Sequence, residues 1–178
     1  QGLGFVGTVM SLVVANSDNG EYAVIGVDKA TEDSYWKIAE INTGICPIVS
    51  SDPLVTEFFE NTKAKQNFYA TYDSMAFSFA DVIIVDINLD VTKIKDHKGN
   101  IESYDVPLEG FKKAIESIGQ VCKEDVLILV ETTVPPGTCQ KVVYPILVEN
   151  LKHRGLPSNK FKLGHSYERV MPGPNYVN

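Results

Sequence analysis

The sequence predicts an α/β fold in which a doubly wound parallel sheet carries helices on both faces. Two apolar runs, 82–85 and 126–130, have the length of buried strands and are far shorter than the roughly 20 residues of a membrane span. Segments of helical periodicity separate such runs along the chain, and this alternation is typical of a parallel sheet. With 178 residues, of which 44% are hydrophobic, the chain fits one domain with a substantial core.

Helices are predicted where apolar residues recur at helical spacing between capping residues. Asp52 followed by Pro53 is a strong helix start, and Gly44 is a plausible helix end. Residues 107–120 carry their apolar side chains on one face, as expected of a helix that packs on a sheet. The predicted helices are 5–16, 34–42, 53–63, 107–120 and 138–154.

Strands are predicted where short apolar runs end in turn residues, at 22–27, 67–71, 81–87, 125–131 and 161–165. Residues 132–137 form a tight loop after one of these strands. Residues 88–106 are predicted as a long polar loop. Loops of that length are uncommon in compact domains and are usually functional or disordered.

Charge and cysteine content exclude several classes of function. The net charge of −7 argues against nucleic-acid or anionic-membrane binding, which would need a basic surface. Cys46, Cys122 and Cys139 are too few and too widely spaced for a disulfide framework or a zinc site, and the three histidines share no metal-ligand spacing. We therefore expect no metal and no membrane span, and we expect a cytoplasmic location because no leader segment is visible.

The opening Gly-Leu-Gly-Phe-Val-Gly is a G-x-G-x-x-G motif directly before a predicted helix. In a dinucleotide-binding fold, Gly2 permits the tight turn out of a strand, Gly4 lets a pyrophosphate approach the backbone, and Gly7 lets the helix pack closely on the sheet. The strand that should precede this turn is represented only by Gln1. The sequence thus predicts a Rossmann-like sheet whose first strand is truncated.

Asp28 ends the second strand of this predicted unit, about 26 residues after the first glycine. An acidic residue at this place is expected to accept hydrogen bonds from the adenosine ribose, and its charge would repel a 2′-phosphate. The cofactor predicted is therefore NAD rather than NADP, although Lys29 weakens the preference.

Five segments together resemble one family, the N-terminal NAD-binding domain of the UDP-glucose/GDP-mannose (nucleotide-sugar) dehydrogenases. The loop Glu-Thr-Thr-Val-Pro-Pro-Gly-Thr at 131–138 is the most specific of them. With Glu at its start, this loop resembles that of the branch acting on UDP-N-acetyl-mannosamine or UDP-N-acetyl-glucosamine. The other segments are Gly-Leu-Gly-Phe-Val-Gly at 2–7, Lys-Ile-Ala-Glu-Ile-Asn-Thr-Gly-Ile-Cys-Pro-Ile at 37–48, Ala-Asp-Val-Ile-Ile-Val at 80–85 and Tyr-Glu-Arg-Val-Met-Pro-Gly at 167–173.

The resemblance implies an enzyme of polysaccharide biosynthesis that oxidises the C6 alcohol of a UDP-sugar to a carboxylate with two molecules of NAD. The family's reaction passes through a cysteine thiohemiacetal and thioester, and that cysteine lies in a later domain. Residues 1–178 are accordingly expected to be the NAD-binding domain of a longer enzyme, incomplete as a catalyst alone. The full-length enzyme is expected to be a homodimer.

The resemblance also implies roles for individual residues, carried over by position. The family has Thr-Pro at the cofactor edge, where this sequence reads Asn-Leu-Asp at 88–90, so Asn88 takes a position at that edge. Tyr167 stands where the family has Pro. The implied cofactor-binding residues are Gly2, Gly4, Phe5, Val6 and Gly7 for the pyrophosphate, Asp28 for the ribose, Lys37 near the adenosine, Asn88 at the cofactor edge and Thr132 near the nicotinamide. The implied catalytic residues are Thr133, which helps position a water, and Glu168.

Two other functions stay open at this point. The chain fits a non-catalytic NAD-binding regulatory module, and it fits the NAD-binding domain of a 3-hydroxyacid dehydrogenase relative, which shares the fold. The sequence does not identify the UDP-sugar.

Overall fold

The computed structural model describes residues 1–89, 91–167 and 173–177. In these residues the helices are α1 (Phe5–Ala15), α2 (Glu32–Thr43), α3 (Pro53–Lys65), α4 (Glu109–Gly119) and α5 (Tyr144–His153), and a π-helical turn, Cys139–Val143, leads into α5. The strands are β1 (Val24–Val27), β2 (Phe68–Thr71), β3 (Val82–Val85), β4 (Thr92–Lys95), β5 (Ile101–Asp105), β6 (Leu127–Val130) and β7 (Lys162–His165). A 3₁₀ turn, Ser74–Ser78, follows β2.

Parallel pairing joins the strands that alternate with helices. β1 pairs with β2, and β6 lies between β3 and β7, all in parallel. β1, β3 and β6 contain only apolar residues and glycine, as expected where both faces of a sheet are covered. The predicted α/β class with a parallel sheet is therefore confirmed.

The first two residues lie between the two parallel groups of strands and bond to both. The Gly2 N–H donates to the Val27 carbonyl at 2.8 Å on one side. On the other side the Gln1 backbone nitrogen donates to the Ile84 carbonyl at 2.7 Å, and the Gln1 carbonyl accepts from the Asp86 N–H at 2.8 Å. These are the bonds of the last residues of a central parallel strand, so the order across the sheet is β2–β1–(Gln1–Gly2)–β3–β6–β7.

The expectation of a long loop at 88–106 is wrong. Most of that stretch is an antiparallel hairpin, in which β4 pairs with β5. Asp96 closes its tip, because its carboxylate accepts hydrogen bonds from the backbone N–H groups of Lys98 and Asn100, both at 2.8 Å. Gly99 takes a positive φ of 85° there. The polar side chains that suggested a loop belong to a ribbon exposed on both faces.

Two apolar clusters cover the sheet. The larger cluster lies between α4, α5 and the strands β3 and β6, and Ile115, Leu147 and Ile128 are completely buried in it. The smaller cluster joins α1, α2 and α3 to β2, with Leu12 and Phe59 at its centre. Within the described part of the chain, no helix has the length and apolar character needed to cross a bilayer.

Candidate functional site

The turn between Gln1 and α1 is built so tightly that two of its positions admit only glycine. Gly2 has φ +98°, and a Cβ there would lie 2.2 Å from the Asp86 carbonyl oxygen. A Cβ on Gly7 would lie 2.0 Å from the Gly2 carbonyl oxygen. Both contacts are with backbone, which has little room to move, so these two glycines bring the start of α1 against the sheet.

Gly4, the middle glycine, has the opposite environment. No atom lies within 4 Å of the position its Cβ would take. Gly4 is the N-cap of α1, and among the described residues no side chain caps this helix. The first N–H groups of a helix have no partner within it, and the helix dipole adds positive potential at this end. Phe5 and Val6 follow in that first turn, so the open surface at Gly4 has the properties of an anion-binding site.

Asp28 lies beside this turn, at the carboxyl end of β1. Its Oδ2 accepts from the Leu3 N–H at 3.0 Å and its Oδ1 accepts from the Lys29 N–H at 2.8 Å. The side chain is half-buried. Two backbone donors thus hold the carboxylate in a fixed orientation, and each of its oxygens has capacity for a further donor such as a ribose hydroxyl.

A cleft of about 220 Å³ opens next to Asp28, between the carboxyl ends of β1 and β2 and the first turns of α4. Sequence reasoning missed its other walls, because they come from distant segments with no motif of their own. The additional lining residues are Tyr72, Ser74, Gly110, Lys113, Ala114 and Ser117. The polar face of the predicted helix at 107–120 was the available signal for Lys113 and Ser117.

Lys37 is not among the residues that line this cleft. It lies on α2, where its ammonium is 5.9 Å from the centre of the Trp36 ring. A cation at this distance over an indole is attracted by the ring's electron density. The structure therefore does not bring Lys37 together with Asp28 in one pocket.

Thr132 follows β6 and is 6% exposed. Its hydroxyl oxygen accepts from the Ile87 N–H at 2.8 Å, and its hydroxyl lies 3.3 Å from the Val85 carbonyl oxygen, to which it donates. Thr132 thus ties the loop after β6 to the loop after β3. Its side chain holds the two loops together, and Asn88, one residue after Ile87, is exposed beside them.

Thr133 is exposed and lines a second cleft of about 300 Å³. One wall is the loop Thr133–Pro136, and the other comes from the β4–β5 hairpin and its flanks. The lining residues besides that loop are Leu89, Val91, Tyr104 and Val106. This cleft lies at the carboxyl ends of β3 and β6, the edge at which open α/β sheets bind ligands.

Glu168 lies outside the described residues, so its predicted catalytic role is not placed. The strand before Glu168 is placed. The Ser166 N–H donates to the Val130 carbonyl at 3.0 Å and thereby extends the pairing of β7 with β6. Among the described residues no three His, Cys, Asp or Glu side chains are grouped as a metal site.

All three cysteines are free thiols. Burial raises the pKa of Cys46, Cys122 and Cys139 above the usual range. A raised pKa keeps these groups protonated at neutral pH, and the thiolate is the nucleophilic form. None of them has the environment of a catalytic cysteine.

A parallel sheet, a glycine turn open at its middle position and an acidic residue at the end of the next strand define a dinucleotide-binding α/β domain. The whole chain, residues 1–178, matches the UDP-glucose/GDP-mannose dehydrogenase family, NAD binding domain. The chain belongs to this family, whose cofactor is NAD.

Relatives of known activity agree with this assignment. The chain is 27% identical to UDP-N-acetyl-D-mannosamine dehydrogenase of Pyrococcus horikoshii and 30% identical to UDP-N-acetyl-D-glucosamine 6-dehydrogenase of Pseudomonas aeruginosa, over 97% of its own length in each case. These matches cover 36% and 35% of the relatives, so the chain spans about a third of their length. The crystal structure of NDP-N-acetyl-D-galactosaminuronic acid dehydrogenase from Methanosarcina mazei Go1 superimposes with a TM-score of 0.80 at 26% identity, over 97% of this chain and 34% of that one.

Proposed function

We propose that this chain is the NAD-binding domain of a UDP-sugar 6-dehydrogenase, a longer enzyme that oxidises the C6 alcohol of its substrate to a carboxylate. The observation that carries the proposal is the contrast between the three glycines. Gly2 and Gly7 are closed in by backbone, whereas Gly4 faces open space in front of uncapped helix N–H groups. That is the surface a pyrophosphate needs.

Each part of the site has a proposed task. The first turn of α1 donates to the pyrophosphate, and Asp28 accepts from the adenosine ribose. The cleft beside Asp28 would hold the adenine, and Thr133, which lines the second cleft on the β3–β6 side, would face the nicotinamide. When bound, NAD would supply the hydride acceptor, and the proposed tasks of Thr133 and Glu168 are to position the water and to move the proton. Thr132 acts by holding the two loops together.

Cofactor selectivity tests the role of Asp28. In calorimetric titrations we expect NAD to bind at least about tenfold more tightly than NADP, because a fixed carboxylate repels a 2′-phosphate. Asp28→Asn removes the charge, so the dissociation constants of this variant for NAD and NADP should differ by no more than about threefold. Asp81→Asn is the matched control, because Asp81 is an exposed carboxylate directly before β3, away from the site. Equal NAD and NADP affinity in the unsubstituted protein would contradict the proposed role.

The activity is tested on the full-length protein that carries this domain. We expect NADH formation with UDP-N-acetylmannosamine, UDP-N-acetylglucosamine or UDP-glucose, at two NADH per sugar oxidised. Thr133→Ala should lower the turnover, and Thr133→Ser should restore much of it because the hydroxyl is retained. A protein that binds NAD but reduces none with any UDP-sugar would be a binding module, and the proposed activity would be rejected.

We further propose a cytoplasmic setting and a homodimeric full-length enzyme. The three free thiols support the first, since disulfides are rare in reducing compartments. Fractionation tests the location, and sedimentation equilibrium of the full-length protein tests the homodimer. A monomer at micromolar concentration would reject the latter.

A further inference from the structure

The segment 173–177 returns to the dinucleotide-binding turn from the far end of the chain. Tyr176 is 4% exposed, and its ring centre lies 5.3 Å from that of Phe5, at an interplanar angle of 41°. Phe5 belongs to the first turn of α1. Tilted aromatic pairs at this distance stabilise beyond the area they bury.

A buried carboxylate anchors the same segment. Asp52, 1% exposed, is the N-cap of α3 and accepts from the Leu54 N–H at 2.9 Å. Its second oxygen accepts from the Val177 N–H at 2.8 Å. These backbone hydrogen bonds, with that of Val177 as the largest effect, lower the pKa of Asp52. The carboxylate therefore stays ionised at neutral pH and holds the residue next to Tyr176 in place.

We propose that Tyr176 is a positioning residue for the cofactor, acting through Phe5 on the phosphate-binding turn. The contact of Gly7 with Gly2 fixes one side of the start of α1. Tyr176, held by Asp52, packs against the ring that projects from the same turn. Hydrogen bonds weaken steeply as their angles depart from linear, so the N–H groups that meet a pyrophosphate need this turn to be held in one place. The proposal rests on NAD being the ligand.

A matched aromatic pair elsewhere in the fold separates positioning from general stability. Tyr144 and Phe161 have ring centres 5.4 Å apart at 39°, nearly the geometry of the Phe5–Tyr176 pair. Phe161 directly precedes β7, at the end of the strand away from the clefts. Tyr176→Leu and Phe161→Leu each remove one aromatic contact and keep an apolar side chain.

The experiment measures ligand affinity and melting temperature in the full-length protein. We expect both Leu variants to lower the melting temperature, and only Tyr176→Leu to raise the NAD dissociation constant, by about fivefold. ADP-ribose, which carries the pyrophosphate, should show the same loss, whereas the affinity for adenosine should not change. Tyr176→Phe keeps the ring and should bind NAD as the unsubstituted protein does. Phe5→Leu should reproduce the loss, and the double variant should add little to it.

The outcomes distinguish this inference from the proposed function. If the unsubstituted protein does not bind NAD, the proposed function fails. If it binds NAD and Tyr176→Leu binds it equally well, or loses adenosine affinity in the same proportion, the positioning role is overturned. Should Tyr176→Leu not fold, Asp52→Asn loosens the anchor more gently, and an NAD affinity unchanged in that variant would overturn the role as well.

Discussion

A methyl group added at Gly7 would strike the backbone of the turn that precedes α1. Its Cβ would lie 2.0 Å from the Gly2 carbonyl oxygen, whereas ordinary contact begins at 3.4 Å, so the start of the helix must move by about 1.4 Å. Neither partner is a flexible side chain. Overpacking a well-packed site costs about 1–3 kcal/mol, and a backbone clash of this depth belongs at the upper end. We expect Gly7→Ala to lower the melting temperature by roughly 6–12 °C.

The same substitution at Gly4 has a different expected result. The added Cβ meets no atom within 4 Å, and the φ of −73° suits alanine. Loss of glycine at an N-cap costs at most about 1 kcal/mol, so the melting temperature should fall by no more than about 4 °C. The methyl group would, however, occupy the surface proposed for the pyrophosphate. We expect the NAD dissociation constant of Gly4→Ala to rise at least about tenfold.

Thermal unfolding and NAD titration of the two variants, side by side, check this reasoning. Each variant adds one methyl group. Gly7→Ala is expected to lower the melting temperature, and Gly4→Ala is expected to weaken NAD binding. A Gly7→Ala protein as stable as the unsubstituted one would refute the close-packing argument. A Gly4→Ala protein that binds NAD normally would refute the assignment of the open surface to the pyrophosphate.

Two further predictions concern stability. Thr132→Val should cost about 1–3 kcal/mol in urea unfolding because it leaves the Ile87 N–H without its acceptor, while Thr132→Ser should be close to neutral. Arg154→Lys should lower the free energy of unfolding by about 1 kcal/mol, because the guanidinium donates to three carbonyls at and just after the end of α4 and an ammonium cannot reach all of them. An unchanged urea midpoint would contradict this prediction.

The elements that sequence reasoning predicted well are those whose residues carry local physical constraints. Asp52 before Pro53 predicted the start of α3, and the apolar runs at 82–85 and 126–130 contain β3 and β6. The G-x-G-x-x-G spacing predicted which glycines are closed in and which one is open. Each of these rules depends on neighbours within a few residues, so one sequence is enough to apply it.

The hairpin at 88–106 was missed for the opposite reason. Its polar composition resembled a loop, and the alternation of Thr92 and Ile94 with lysines is too short to stand out. A ribbon exposed on both faces has no hydrophobic pattern by which to recognise it. The Asp96–Asn100 turn was the available signal, because an Asp whose carboxylate closes its own turn, followed by Gly at a positive φ, marks a hairpin tip.

The composition of the site explains why only part of it was predictable. Gly2, Gly4 and Gly7 act through their backbone, so the motif itself carries their meaning. The walls of the two clefts, by contrast, come from the carboxyl ends of separate strands, and only the pairing of β1 with β2 makes Tyr72 a neighbour of Asp28. Tyr176 lies further still from its partner along the chain, and no spacing rule connects it to Phe5. The features that distinguish this domain from other dinucleotide-binding domains must therefore be sought in such long-range contacts, because the glycine motif is common to all of these domains.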